Sequence, residues 1–257
     1  MTTHEGPWPA GFPCWVDVSV SDLEHSQAFY EAVLGWRFSP GAEKLGGYTN
    51  AFVGDRRVAG MSPTPDPTGH RASIWAVYLA TADIEAIDKA IRAAGGQEVF
   101  PITGLPPLGR MAMFTDTTGA VFGVYEAGKH TGFTLVNEPG AVSWCEGMVG
   151  DFAAGKAFYT KVFGYEYTDM SGPQGEYAMF TVPGADRPTG GVGRVDVDRP
   201  PGWTVTFEVA DVDDAAHQVS EHGGIVTTQP YDFEFGRLAL CAGPDSESFG
   251  LITSAQM

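Results

Sequence analysis

Hydrophobic and polar positions along the chain fall into two periods that follow one another four times. Trp15, Val16, Asp17, Val18, Ser19 and Val20 alternate strictly. Successive strand side chains point to opposite faces, so this stretch is predicted to be a half-buried strand, with the three valines on one side and Trp15, Asp17 and Ser19 on the other. Asp22 then stands where a helix N-cap belongs. Ala28, Phe29, Ala32 and Val33 recur at helical spacing, and Gly35 is placed to stop the helix in a left-handed turn. The same order returns from Trp144 through Glu146 and Met148, where Asp151, Phe158 and Gly164 stand 129 positions after Asp22, Phe29 and Gly35. Weaker copies run from Trp75 to Asp83 and Gly95, and from Trp203 to Asp211 and Gly223. Four copies at near-constant spacing are an internal repeat, which governs how the rest is read.

Each copy is followed by short β-rich runs separated by Gly and Asp turn signals, which makes the repeating unit βαβββ. In the first unit the runs are 37–39, 48–53 and 57–61. In the second a helix from Ile84 is followed by 98–100, 110–115 and 120–125, with Asp116-Thr-Thr-Gly119 as a tight turn. The second half closes with 237–241, a turn over 243–246, and 248–252. Residues 1 to about 11 read as a loosely held arm, 63–69 as a loop, and 127–140 as the link between halves. The expected class is α+β. Two domains are expected, 1–128 and 129–257, built from units at about 12–62, 73–127, 141–196 and 201–253.

Charge narrows the partners. With 15 Lys+Arg against 32 Asp+Glu the net charge is −17, which repels a phosphate backbone or an anionic bilayer, and no apolar run is long enough to span one. Neither nucleic acid nor membrane is expected as a partner. Cys14, Cys145 and Cys241 are odd in number and lack a CxxC spacing, so a cytoplasmic protein with reduced thiols is expected, as a monomer or homodimer.

The run Asp22-Leu with Phe29-Tyr30 and Gly35, its copy at Asp151, Phe158-Tyr159 and Gly164, and the closing Asp116, Gly119 and Gly123 resemble the vicinal oxygen chelate superfamily. That superfamily includes glyoxalase I, extradiol dioxygenases and bleomycin-resistance proteins. The resemblance covers nearly the whole chain and implies that each pair of units forms a curled eight-stranded mixed sheet around an open cavity, with helices outside. Many members hold a divalent metal there. The positions that would carry its ligands are Trp15, Ala76, Gly60 and Gly123 in the first half and Trp144, Thr204, Gly191 and Gly250 in the second. None offers an imidazole or carboxylate, whereas a divalent cation needs several such groups at once. No metal and no other cofactor is therefore expected, and Gly in place of a ligand is read as free space beside an apolar wall.

Strand parity supplies the expected lining: Trp15, Asp17, Ser19 and Tyr78 in the first half, and Trp144, Glu146, Met148, Thr204 and Thr206 in the second, with Arg110 and Arg237 as equivalent cations reaching the ligand or the carboxylates. An indole beside a carboxyl suits a flat aromatic compound. Asp17 and Glu146, in a partly dry pocket, are candidate acid–base residues. His25, His217 and His222 fall on polar helix positions, His70 and His130 in loops, and His130 is expected to act as a structural linker. The leading expectation is a metal-independent protein that sequesters a planar aromatic small molecule, or helps a partner oxygenase modify it, in antibiotic biosynthesis or resistance. One alternative is a cofactor-independent enzyme (hydroxylase component, isomerase or cyclase) using Asp17 or Glu146 as base. Another is a metal enzyme with the non-standard ligands Asp17, Glu146 and Glu208.

Overall fold

The structure is a computed structural model that describes residues 2–64, 73–173, 175–195 and 199–255. His70 and most of the loop expected over 63–69 lie outside the described residues. The strand Pro13–Val20 buries Val16, Val18 and Val20 completely or nearly so, because one of its faces carries the helix that follows. That helix, α1 (Leu23–Leu34), starts where the Asp22 side chain accepts the His25 N–H, and it stops at Gly35 with φ of 68°. Helices α2 (Ile84–Ala93), α3 (Phe152–Phe163) and α4 (Val212–Glu221) are capped in the same way by Asp83, Asp151 and Asp211.

Within each half the opening strands of the two units pair antiparallel at the centre, Asp17 opposite Ala76 and Glu146 opposite Thr204. The last strand of each unit flanks them in parallel. The first half is thus ordered Arg37–Phe38, Thr49–Val53, Arg56–Pro63, Pro13–Val20, Trp75–Thr81, Val121–Ala127, Gly109–Thr115, Gln97–Leu105. The second half repeats this order, from Glu166–Asp169 through the central Val142–Val149 and Gly202–Glu208 to Ile225–Phe233. Each eight-stranded sheet has helices on one side and an inner face, its lumen, on the other. The run expected at 98–100 is a much longer strand, Gln97–Leu105, because it pairs as one arm of a hairpin with Gly109–Thr115.

The halves join through their helix sides. Helix α1 packs on α4 and α2 on α3, and the rings of Tyr30, Trp36, Trp75, Phe207 and Phe249 form one contiguous aromatic core across the two. Tyr30 donates to Glu247 Oε1 at 2.8 Å, and the Trp75 indole N–H donates to Tyr30 at 3.2 Å. Both lumens consequently point away from the junction.

The N-terminal arm is not loosely held. Trp8 stacks on His4 and Phe12 and donates its indole N–H to the Phe133 carbonyl, while Gly11 bonds Ala80 through its N–H and accepts the Tyr165 hydroxyl. Among the described residues no helix is long and apolar enough to cross a membrane. All three cysteines are free and buried, and burial pushes their thiols up, that of Cys241 to about 12.

Candidate functional site

Each lumen centres on a carboxyl group held by a tyrosine. In the first half the Trp15 indole N–H donates to the Tyr48 hydroxyl at 2.8 Å, and that hydroxyl donates to Asp17 Oδ2 at 3.2 Å. The Tyr78 hydroxyl donates to the other oxygen, Oδ1, at 3.3 Å. Burial disfavours the ionised form more than the two hydroxyls stabilise it, so the Asp17 carboxyl is pushed up to about 7. The second half repeats the relay: Trp144 to Tyr177 at 2.9 Å and Tyr177 to Glu146 Oε2 at 2.8 Å, with Thr204 as a further hydrogen-bond partner. Desolvation likewise raises the Glu146 carboxyl above the usual range. Tyr48 and Tyr177 were not among the sequence candidates. They too stand 129 positions apart, a signal that the repeat contains but that neither strand parity nor ligand spacing points to.

These tyrosines overturn the expected open space. A Cβ added at Gly60 would lie 1.7 Å from the Tyr48 hydroxyl, one at Gly191 2.0 Å from that of Tyr177, and one at Gly123 2.3 Å from the Tyr78 ring. At Gly250 the Thr206 hydroxyl stands 2.4 Å away. Glycine at these four positions makes room for a neighbouring side chain. Two concavities lie outside the lumens: one of about 300 Å3 between the end of α1 and α4, lined in part by Leu34, Gly140 and Gln218, and one of about 250 Å3 beside the start of α3.

Among the described residues, each centre offers one carboxyl that accepts from neutral hydroxyls, a donor set that does not fit a divalent cation, which takes several anionic or imidazole ligands at once. Glu208 does not converge with Glu146, since it accepts from Ser143 at 2.9 Å and from the Ser254 N–H and hydroxyl at 2.8 and 2.6 Å. The one grouping of three acidic side chains among the described residues, Asp83, Glu85 and Glu126, is on the helix side, where Arg110 pairs with Glu85 and Glu126.

Arg110 and Arg237 are a correction to the expected lining. Arg110 shares parity with Ala112 and Phe114, which are buried under α2, and it donates to Glu85 Oε2 at 2.9 Å. Arg237 shares parity with Ala239 and Cys241 and bonds Asp213 at 2.7 Å and Asp232 at 3.0 Å. Both cations serve the first turn of an outer helix and face away from the lumen. Nor do they bond Asp17 or Glu146, whose partners are the tyrosines.

The other candidates are near their expected places. Tyr78 belongs to the first relay and Thr204 to the second, while Thr206 and Met148 pack against Gly250 and Gly193. Ser19 is exposed and bonds Ser62 at 2.9 Å. His130 is more than a linker: its ring stands edge-on to Trp15 with centroids 4.4 Å apart, and desolvation lowers it to about 4, so it is neutral at physiological pH.

The model of the Glyoxalase/Bleomycin resistance protein/Dioxygenase superfamily matches residues 14–124 and again 141–249. Among curated proteins the chain is 32% identical over 251 residues to CFP32 of Mycobacterium tuberculosis, covering 95% of each chain. It is 32% identical over 261 residues to the anthracycline biosynthesis protein DnrV of Streptomyces peucetius, covering 94% of this chain and 93% of that one. Among solved structures, the Mn(II)-bound glyoxalase from Novosphingobium aromaticivorans superposes with a TM-score of 0.69 at 16% identity, over 96% of this chain and 83% of the other, a likeness of fold. With two matches that together span most of its length, the chain belongs to the Glyoxalase/Bleomycin resistance protein/Dioxygenase superfamily.

Proposed function

We propose that this protein binds a planar aromatic small molecule without a divalent metal, at a Trp–Tyr–carboxyl centre, in the biosynthesis of a secondary metabolite. The observation that carries the reading is the relay itself, present twice, in which an indole and a phenol flank a carboxyl of raised pKa. Aromatic faces offer stacking area, and a carboxyl whose pKa burial raises can donate to or accept from a phenol or quinone oxygen. The similarity to DnrV, named for anthracycline biosynthesis, supports the same ligand class, since anthracyclines are flat fused-ring compounds. A partner oxygenase would then act on the compound held. The test is a fluorescence titration with a hydroxyanthraquinone such as alizarin, on protein purified without chelator and analysed for metal. Saturable quenching with metal well below one ion per chain is expected. Stoichiometric metal whose removal abolishes binding would defeat metal independence, and no quenching by any flat aromatic would defeat the ligand class.

The raised pKa of Asp17 favours a second reading, a cofactor-independent tailoring enzyme in which Asp17 or Glu146 transfers a proton. Asp17→Asn and Glu146→Gln keep shape but cannot exchange the proton. If either residue is the base, turnover of the bound compound falls by about 10²-fold in that variant while affinity changes little. Normal turnover in both would make the carboxyls structural.

A further inference from the structure

The two relays match, but their surroundings do not. In the first half the segment between the halves fills the lumen. His130 is wedged between Trp15 and Tyr125, with ring centroids 4.4 and 5.9 Å away, and Phe133 lies 5.5 Å from Trp15. The Tyr125 hydroxyl donates to the carbonyls of Leu108 and His130, and the backbone N–H groups of Gly128, Lys129 and His130 bond the hairpin tip at Pro107 and Leu108. Trp8 closes over Phe133 from outside. Trp15 is left 4% exposed, and a flat ligand could not reach it without displacing this plug.

In the second half Trp144 is only half-buried, and among the described residues no aromatic ring packs against it. The edge of the same sheet is the hairpin of Ile225–Phe233 and Gly236–Ala242. Tyr231, Phe233 and Phe235 project from this hairpin 40%, 39% and 44% exposed, with successive ring centroids 6.2 and 5.7 Å apart. Asp232 bonds Arg237 on the helix side, so strand alternation turns its neighbours Tyr231 and Phe233 toward the lumen. Burial raises the Tyr231 hydroxyl, and the Glu146 carboxylate adds to the rise. The residues 127 positions earlier in the first hairpin are Gly104, Pro106 and Leu108. The aromatic row thus has no counterpart where the lumen is plugged.

We propose that Tyr231, Phe233 and Phe235 form an aromatic arm that clamps a single flat ligand against Trp144 and Glu146, and that the plugged first half holds none. This rests on the proposed binding of a planar aromatic. Three exposed rings at stacking separations are costly to leave in water, and burying them against a flat ligand recovers that area. Glu146 marks the polar end of the site, where a ligand hydroxyl or carbonyl meets the Tyr177–carboxyl pair. The plugged lumen instead uses its duplicate relay to seat the segment that joins the halves.

The experiment is a titration of the full chain with alizarin, following indole quenching and stoichiometry in the wild type, in Trp144→Phe, in Trp15→Phe and in the triple variant Tyr231→Ser/Phe233→Ser/Phe235→Ser. The expected results are one alizarin per chain, a triple variant that binds at least tenfold more weakly with an unchanged thermal midpoint, and loss of most of the quenching in Trp144→Phe. Circular dichroism confirms that the triple variant is folded. If it does not fold, iodide quenching of indole fluorescence in the wild type replaces it: alizarin should shield Trp144, read as the component missing from Trp144→Phe. Wild-type affinity in the folded triple variant, two ligands per chain, or quenching lost in Trp15→Phe instead would overturn the clamp while leaving the ligand class intact. No binding by the wild type would remove the ligand class and the clamp together.

Discussion

At the scale of single residues the decisive atoms are two phenolic oxygens. The Tyr48 and Tyr177 hydroxyls each accept an indole N–H and donate to a carboxyl, so each satisfies two buried polar groups at once. Tyr177→Phe leaves the Trp144 N–H without its partner and takes a donor from Glu146. It should cost on the order of 1–3 kcal/mol of stability in urea unfolding. An unchanged midpoint would mean that water or Thr204 takes over. Asp17 makes a pH-dependent prediction. Its pKa is raised from the ordinary 3.8 to about 7 in the folded chain, so between those values the fold binds a proton that the unfolded chain has released. The stability this group contributes is complete below about pH 4, declines as the pH rises, and is gone above about pH 7. Asp17→Asn cannot ionise. Its thermal midpoint relative to wild type should therefore rise from pH 4 to pH 8, and a difference independent of pH would refute the shift.

At the scale of elements, the close approach of strands to tyrosine rings fixes where glycine must stand. Gly191→Ala would force a methyl carbon to within 2.0 Å of the Tyr177 hydroxyl, pushing it out of reach of Glu146 or bending the strand. A loss of about 1–3 kcal/mol is expected, whereas Gly202→Ala, which meets nothing within 4 Å, should be near neutral by the same measurement. The caps behave as independent parts. Asp151→Ala removes the acceptor of the Ala154 N–H and should lower stability by about 1 kcal/mol without altering ligand affinity.

At the scale of the whole molecule, the helix-side cores of the two halves merge through Tyr30, Trp36, Trp75, Phe207 and Phe249. Neither half can open that face without exposing aromatic rings and the buried Tyr30–Glu247 pair. The chain should thus unfold in one cooperative step, with tryptophan fluorescence and far-ultraviolet circular dichroism giving coincident urea transitions. Two separated transitions would show that the halves are energetically independent.

Much of the architecture was legible in the sequence, because alternation, Asp caps and Gly stops are local and the repeat displays them four times. Val16, Val18 and Val20 sit on the helix side and Trp15 and Asp17 on the lumen side, as a period of two requires. The pairing of a carboxyl with an indole in each half was legible for the same reason. What occupies the space in front of them was not. Tyr48 reaches Asp17 only after helix α1, the strand Arg37–Phe38 and a 3-10 turn have carried the chain 31 positions on and back to the same lumen, and Tyr78 arrives from another unit altogether. Arg110 and Arg237 were misplaced because sequence equivalence says that two residues share a position but not which face of the strand they occupy; their partners on α2 and α4 settled that. The sequence by itself determined the repeated unit, its strands, helices and caps, since these depend on neighbours within a few residues. Only the tertiary structure decided that glycines make room for tyrosines and that the segment joining the halves fills one lumen and leaves the other to its aromatic hairpin, because those contacts join side chains far apart in the chain.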